Sequence, residues 1–385
     1  MAKLEIQGRC DTRFKRVREL FEAGFESGAE LGAGLNVVVE GREVIDLWGG
    51  YADKDRTRPW RRDTLANVYS TTKGITALAA HQLVERGELD LDAPVARYWP
   101  EFAQNGKAEI PVRMLLNHQA GLAAVAKPLA PEDIYDWNTM TRALAEQAPW
   151  WTPGTAHGYH ALTFGWLVGE LVRRVSGMSI GRYVREHIAA PLGAEFWIGL
   201  PEELDARVAE LTQGPISTGG PNMLEIMRNE PNGVLAKAFG NPPLLMISPN
   251  SRAWRAAELA AANGHTTAPA LARIYAALAN GGELDGVRIL KRATIDRART
   301  EESYGPDRVL TLVTRIGLGF FLPPANEPLG PNPRTFGHGG AGGSLGVADP
   351  EANVGFGYVM NLMHTGAWLA DPRPRALLDA LYEGL

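Results

Sequence analysis

The order of the hydrophobic patterns along the chain constrains its fold more than any other feature of the sequence. A helical pattern at 11–28 is followed by two strand patterns that a Gly-Arg pair joins, as in a hairpin. The middle of the chain is mostly helical, and strand patterns return near the C-terminus before a final helix at about 371–383. Strands at both ends with helices between them predict one sheet that both ends build, with a helical domain inserted.

These patterns predict an α/β (α+β) fold in which N- and C-terminal helices flank an antiparallel sheet. We place the sheet domain at 1–75 and 270–385, and the mostly helical domain at 76–269. Within the helical domain, the stretch 201–250 is rich in Gly, Pro and Asn and shows little periodicity. A segment of this length without periodicity is either disordered or a functional covering loop, and we favour the loop.

Charge and hydropathy argue against two classes of partner. The chain has a formal net charge of −5 and no basic run, so we expect no nucleic-acid binding. No apolar stretch reaches the ~18 residues that a membrane span needs, and the N-terminus lacks the apolar core of a signal peptide. Because Cys10 is the only cysteine, no internal disulfide can form, which fits a reducing compartment. We expect a cytoplasmic protein, and no pattern indicates its oligomeric state.

Ser70 and Lys73 form the only Ser-x-x-Lys sequence in the chain, and a helical pattern continues from them to Glu85. Residues three apart lie on the same face of a helix, so Lys73 would stand beside Ser70. The positive end of the helix, together with burial, would lower the pKa of Lys73 and allow a neutral amine to act as a base. Alternatively, Ser70 caps the helix and Lys73 is a solvated residue of its first turn.

Two further segments contain candidate reactive groups. Tyr159 precedes a helical pattern and is flanked by turn residues; such a tyrosine is usually structural, but a tyrosinate near a lysine ammonium can shuttle protons. The stretch 336–344 has five glycines in nine residues between strand patterns, so its backbone can approach a substrate closely. It is either a simple glycine-rich turn or an edge strand that supplies an oxyanion-hole N–H, a donor worth roughly 3 kcal/mol in the transition state.

Three weaker features have other interpretations. Ser344 lies in a Gly-x-Ser-x-Gly sequence, but no helical pattern follows it, as a nucleophile elbow requires, so we expect a structural role. His157 and His160 are three residues apart without a third ligand at suitable spacing, so we expect no metal site. Trp137 and Trp151 precede Tyr159 and are either core residues or an apolar wall for an acyl group.

In order and spacing, Ser70-Thr-Thr-Lys73, Tyr159 after Pro-Gly-Thr, and His338-Gly339-Gly340 resemble the motifs of the serine β-lactamase and penicillin-binding-protein superfamily. Within it, the chain looks like the class C β-lactamase-like carboxylesterases, the family VIII esterases, and the resemblance covers nearly the whole length. It implies a β-lactamase/transpeptidase-like fold, Ser70 as the nucleophile, and Lys73 and Tyr159 as the groups that share its proton. It also implies an oxyanion hole from the backbone N–H groups of Ser70 and Ala341, and no metal or organic cofactor.

Two departures from the class C pattern bear on the substrate. His338 replaces the lysine of Lys-Thr-Gly, and an unperturbed histidine is mostly neutral at pH 7, so a permanent charge for a substrate carboxylate is missing. Ala161 replaces the asparagine of Tyr-x-Asn, so a side-chain amide that could hydrogen-bond a substrate amide is missing as well. Both changes favour esters over β-lactams and peptides.

We therefore expect a carboxylesterase that acts on a small-molecule ester with a short- to medium-chain acyl group. The expected substrate-binding residues are His338, Gly339, Gly340, Trp137 and Trp151. A β-lactamase or a D-amino-acid peptidase is the alternative. A non-catalytic binding protein with the same fold is a third hypothesis, and the presence of all three reactive residues argues against it.

Overall fold

The computed structural model describes residues 5–216, 223–324, 329–365 and 371–385. Among these residues, no helix combines the length and the hydropathy that a membrane-spanning helix needs. A π-helical turn, Arg185–Ala189, continues the sixth helix, and short 3-10 turns lie elsewhere. The α-helices are, in chain order, α1 (Lys15–Glu26), α2 (Thr72–Glu85), α3 (Arg113–Leu116), α4 (Trp137–Glu146), α5 (Thr163–Ser176), α6 (Ile180–Val184), α7 (Met223–Asn229), α8 (Val234–Gly240), α9 (Arg252–Ala256), α10 (Ala268–Ala279), α11 (Arg292–Ala298) and α12 (Pro372–Glu383).

The strands form one main sheet and several small ones. They are β1 (Gln7–Cys10), β2 (Gly32–Val39), β3 (Arg42–Gly50), β4 (Ala66–Asn67), β5 (Phe196–Trp197), β6 (Thr212–Ile216), β7 (His265–Thr266), β8 (Glu283–Leu284), β9 (Val287–Arg288), β10 (Ser303–Pro306), β11 (Val313–Ile316), β12 (Phe336–Gly339), β13 (Leu345–Asp349), β14 (Val354–Met360) and β15 (Leu362–Thr365). The main sheet has the order β1-β3-β2-β14-β13-β12, and every neighbouring pair in it is antiparallel. The predicted antiparallel sheet, built from both ends of the chain, is confirmed.

Helices cover both faces of this sheet, because successive side chains of a strand point to opposite faces. On one face, α1 and α12 pack together over one set of alternating residues, which includes Leu35 and Phe356. On the other face, α10 lies against β2, β13 and β14. Gly355 permits this close approach, because a Cβ there would lie 2.3 Å from the backbone nitrogen of Ala276. The N- and C-terminal helices thus pack on the sheet, as predicted.

The helical part of the molecule is organised around α2, in which every residue from Thr72 to Leu83 is buried. A helix that is buried on all sides needs neighbours on all sides. One buried cluster supplies them: it contains residues of α2, α4, α5 and α6, and it continues into α10 and to Val38 of the sheet. The division into domains at residues 75 and 270 stays a prediction, and the buried cluster is continuous across it.

The stretch 201–250 contains more regular structure than its composition predicted. It includes β6, α7 and α8, and β6 pairs in parallel with β15. Helices this short bury few residues, such as Leu235, Ala236 and Ala238 of α8, so no long hydrophobic periodicity marks them. Part of the predicted covering loop, 217–222, lies outside the described residues.

Candidate active site

Ser70 lies at the point where the chain passes from a small sheet into α2. The strands β4, β7 and β5 form this antiparallel sheet, and β4 ends just before Ser70. Tyr69 has a φ of +42°, a left-handed conformation. In a non-glycine residue this conformation costs of order 1–3 kcal/mol, and such residues cluster at functional sites. The turn leaves Ser70 half-buried at the N-terminus of the helix.

Lys73 lies beside Ser70, as the spacing predicted, and its side chain is fully buried. Its Nζ lies 3.0 Å from Ser70 Oγ and donates to the carbonyl oxygens of Ala161 (2.7 Å) and Ala261 (2.9 Å). Burial lowers the pKa of Lys73 well below its ordinary value. A neutral amine has two N–H groups and one lone pair. With both N–H groups on the carbonyls, the lone pair faces the Ser70 hydroxyl, which is the arrangement of a general base.

Tyr159 contacts the same two side chains. The Ser70 side chain is near enough to the Tyr159 hydroxyl to lower its pKa, and Lys73 Nζ lies 4.7 Å from the centre of the Tyr159 ring. Tyr159 is buried, and burial raises the pKa of its phenol. Because burial also lowers the pKa of Lys73, both effects favour an uncharged tyrosine and an uncharged lysine over a tyrosinate and an ammonium. The structure therefore favours the neutral pair for the resting enzyme.

Two buried histidines, His118 and His160, form hydrogen bonds that fix the backbone next to Tyr159. The backbone N–H of His160 donates to His118 Nδ1 (3.0 Å), and that of Leu122 donates to His160 Nε2 (3.1 Å). His160 Nδ1 therefore carries the proton and donates to the carbonyl of Gly158 (2.7 Å). Burial lowers the pKa of His160 to about 4 and that of His118 well below its ordinary value, so both rings are neutral. No motif in the sequence predicts either of these roles.

The glycine-rich strand β12 approaches the N-terminus of α2. His338 is buried, its Nδ1 hydrogen-bonds to the Gly339 carbonyl (2.7 Å), and burial together with nearby Lys73 lowers its pKa to about 3. Gly340 is packed so tightly that a Cβ there would lie 2.1 Å from the Val68 carbonyl oxygen. Only a glycine permits this contact, which holds the end of β12 against the turn before Ser70.

A change of Gly340 to alanine is expected to lower the free energy of unfolding by about 1–3 kcal/mol, because overpacking forces the backbone apart. Urea unfolding measures the loss. Gly240→Ala is the matched control, since a Cβ at Gly240 would meet only the Met227 side chain, at 3.8 Å. Equal stability of the two variants would contradict the tight contact at Gly340.

Ser70 and Tyr159 open onto a cavity of about 290 Å³. Ala161, Gly339 and Ala341 also line it. Most of the remaining wall consists of apolar side chains that sequence analysis did not identify, among them Phe239, Leu244, Trp254, Leu310, Phe321 and Met363. The predicted oxyanion-hole residue Ala341 thus lies on the same cavity as Ser70. The arrangement places a serine hydroxyl and a phenol on a cavity suited to a mostly apolar ligand, with a buried amine beside the serine.

The two predicted pocket tryptophans lie elsewhere. Trp137 is on α4, where its Nε1 donates to Glu170 (2.7 Å), and it lines a separate surface cleft. Trp151 is buried behind Tyr159, and its Nε1 donates to the Ala156 carbonyl (2.9 Å). The structure therefore does not bring Trp137 to the cavity, and it gives Trp151 a supporting position.

Ser344 and His157 each have a local structural partner. Ser344 is buried, and its hydroxyl donates to the Val68 carbonyl (2.8 Å), while no helix follows it in the described part of the chain before Asp371. His157 Nε2 is paired with the Thr314 hydroxyl (2.8 Å). Within the described ranges, no group of three or more His, Cys, Asp or Glu residues is arranged to hold a metal ion.

Comparisons with known proteins show what the whole chain is similar to. A solved family VIII carboxylesterase superposes with a TM-score of 0.91 at 44% identity, covering 99% of this chain and 100% of that one. A penicillin-binding-protein homologue from Caulobacter crescentus also gives a TM-score of 0.91, at 42% identity and with the same coverage. Esterase/beta-lactamase LipL of Mycobacterium tuberculosis is 37% identical over 371 residues, 92% of this chain and 83% of that protein.

The family described as Beta-lactamase matches residues 17–380, which is nearly the whole chain. The predicted β-lactamase/transpeptidase-like fold and the resemblance to the family VIII carboxylesterases are thereby confirmed. The chain belongs to the beta-lactamase family.

Proposed function

We propose that the chain is a serine hydrolase that cleaves small carboxylic esters through an acyl-enzyme on Ser70. The observation that carries this proposal is the 3.0 Å contact between Ser70 Oγ and Lys73 Nζ beside an apolar cavity that Ser70 and Tyr159 both line. Several relatives support it by name: esterase/beta-lactamase LipL, esterase EstB of Burkholderia gladioli and EstA of Arthrobacter nitroguajacolicus.

In the first half of the reaction, Ser70 Oγ attacks the ester carbonyl while its proton passes to the neutral Lys73 amine. The backbone N–H groups of Ser70 and Ala341 stabilise the tetrahedral oxyanion. When the C–O bond breaks, Tyr159 gives its proton to the departing alkoxide, and Lys73 restores the proton of Tyr159. In the second half, water attacks the acyl-enzyme and loses its proton to the same groups, which releases the acid and regenerates Ser70.

Two residues favour esters over β-lactams: Ala161, which lines the cavity, and His338, whose ring packs behind the cavity-lining Tyr159 and Phe321. His338 holds no charge at neutral pH, because burial lowers its pKa to about 3. At Ala161, the backbone carbonyl is already bonded to Lys73 Nζ, and the side chain offers no amide to a substrate. A substrate carboxylate or amide would therefore lose its hydration without gaining a charged or amide partner in the site. This desolvation costs binding free energy. A cavity of about 290 Å³ suits a short- to medium-chain acyl group.

The test compares substrates on one enzyme. We expect kcat/KM for p-nitrophenyl butyrate to exceed that for nitrocefin by about tenfold or more, the ratio that roughly 1.4 kcal/mol of transition-state discrimination gives. We expect p-nitrophenyl palmitate to be slower than the butyrate. Faster nitrocefin turnover would favour the β-lactamase alternative. No labelling of the native protein by a fluorophosphonate probe would favour a non-catalytic protein. The cytoplasmic location stays a prediction.

A further inference from the structure

Asp307, outside every motif of the sequence, makes a concentrated set of hydrogen bonds beside Tyr159. One of its carboxylate oxygens, Oδ1, accepts backbone N–H bonds from Tyr159 (3.0 Å), Val309 (2.8 Å) and Leu310 (2.8 Å). The side chain is only 3% exposed. A buried carboxylate persists where several donors satisfy it, and here three donors share one oxygen.

These three bonds join two parts of the site that are 148 residues apart in the chain. Tyr159 supplies a phenol to the cavity that Ser70 also lines, and Leu310 belongs to the wall of the same cavity. A single oxygen atom therefore fixes the backbone of the proton donor relative to the wall that the substrate contacts. Small displacements of such groups have large effects on rate.

The second carboxylate oxygen, Oδ2, is linked through Thr314 to His157, two residues before Tyr159. Thr314 Oγ1 donates to Asp307 Oδ2 (3.4 Å) and is bonded to His157 Nε2 (2.8 Å). The carbonyl of His157 also accepts the N–H of Arg308 (3.1 Å). Burial lowers the pKa of His157, so a neutral ring that donates through Nε2 completes the chain of bonds. Asp307 thus secures both His157 and Tyr159.

We infer that Asp307 is a positioning residue that holds the Tyr159 hydroxyl where it can protonate the departing alcohol. The inference rests on the proposed ester hydrolysis. It makes a chemical distinction, because p-nitrophenolate leaves as an anion without a proton, whereas an alkoxide needs one from Tyr159. Displacing Tyr159 must therefore slow alkyl esters more than p-nitrophenyl esters, while a general loss of folded enzyme slows both equally.

The measurement is the ratio of kcat/KM for ethyl butyrate to kcat/KM for p-nitrophenyl butyrate. In Asp307→Ala we expect this ratio to fall by about tenfold or more, since general acid catalysis contributes about 10²–10⁴-fold. Asp307→Asn keeps an oxygen that can accept all three N–H bonds, so its ratio should stay within about threefold of wild type. In a Tyr159→Phe background, Asp307→Ala should leave the ratio unchanged, because the two residues act through one group.

Asp349→Ala is the matched control. Asp349 is also fully buried and accepts backbone N–H bonds from Glu351 (2.9 Å) and Ala352 (3.1 Å), but it lies at the end of β13 away from Gly339. If the alanine variant at 307 does not fold, Asp307→Ser is measured with the same expectation. An unchanged ratio in the alanine or serine variant would overturn the inference, as would an equal fall in Asp307→Asn. Failure of the proposed function would differ, because wild-type ester turnover would then not depend on Ser70.

Discussion

Replacing Ser70 with alanine is expected to lower kcat for p-nitrophenyl butyrate by about 10⁴- to 10⁶-fold, the scale on which serine hydrolases lose activity with their nucleophile. Among the described residues, Ser70 Oγ is the hydroxyl that Lys73 Nζ contacts, at 3.0 Å, and it lies on the cavity. Removing one half-buried hydroxyl changes little packing, so we expect the fold to persist. Steady-state kinetics and circular dichroism on the same preparation measure both quantities.

Ser344→Ala is the control for this experiment. Its hydroxyl is bonded to the Val68 carbonyl, so its loss should cost roughly 1–3 kcal/mol of stability and leave the nucleophile in place. A fluorophosphonate probe should label the wild type and Ser344→Ala but not Ser70→Ala. A labelled and active Ser70→Ala variant would contradict the assignment of Ser70 as the nucleophile. A Ser344→Ala variant as inactive as Ser70→Ala would indicate Ser344 as the nucleophile instead.

Most of the fold could be predicted because its main elements have the periodicity that burial imposes. The strands β13 and β14 are buried along their length, and their hydrophobic patterns predicted strands near the C-terminus, before the final helix. The strand β1 could not be predicted, since Gln7 to Arg9 are exposed and the strand pairs with β3 through its backbone. An edge strand of this kind leaves no hydrophobic pattern in the sequence.

The proximity of Ser70 and Lys73 could be predicted, whereas the cavity walls could not. Ser70, Lys73 and Tyr159 are residue types that the chemistry requires, and their spacing matches a known family. The walls come from distant segments, for example Phe239 and Met363, and consist of apolar residues that resemble any core residue. Proximity in sequence was a poor guide to the walls, because Trp137 lies in a separate cleft.

The protonation states also required the structure. From the sequence, a tyrosinate near a lysine ammonium was one possible proton shuttle at Tyr159. The depth at which both groups are buried shifts the pKa of each toward its neutral form, and depth cannot be read from residue spacing. The role of Asp307 was inaccessible for the same reason, since its hydrogen bonds to Tyr159 and Leu310 exist only in the folded chain.

Replacing Lys73 with methionine is expected to lower kcat/KM for esters by about 10²–10⁴-fold, the contribution of a positioned general base. Ser70 remains, but no amine lies 3.0 Å from its hydroxyl to take the proton. In the wild type, the rate should rise with pH through the pKa of Lys73, because only the neutral amine accepts a proton. Burial lowers that pKa well below 10.5, so the rise should lie well below pH 10.5. The pH–rate profile of Lys73→Met should lack this rise of the rate with pH.

Lys107→Met separates this loss of chemistry from a loss of stability. Lys107 is also fully buried, and its Nζ donates to the carbonyls of Gln104 (2.8 Å), Ala145 (2.9 Å) and Gln147 (2.6 Å). Either methionine variant leaves buried carbonyls without their donor. Each such carbonyl should lower the free energy of unfolding by roughly 1–3 kcal/mol. Both variants should therefore unfold at lower urea concentration, but only Lys73→Met should lose turnover and its rising pH limb. If Lys73→Met kept turnover within about tenfold of wild type, or if Lys107→Met lost as much, the amine beside Ser70 would not be the general base.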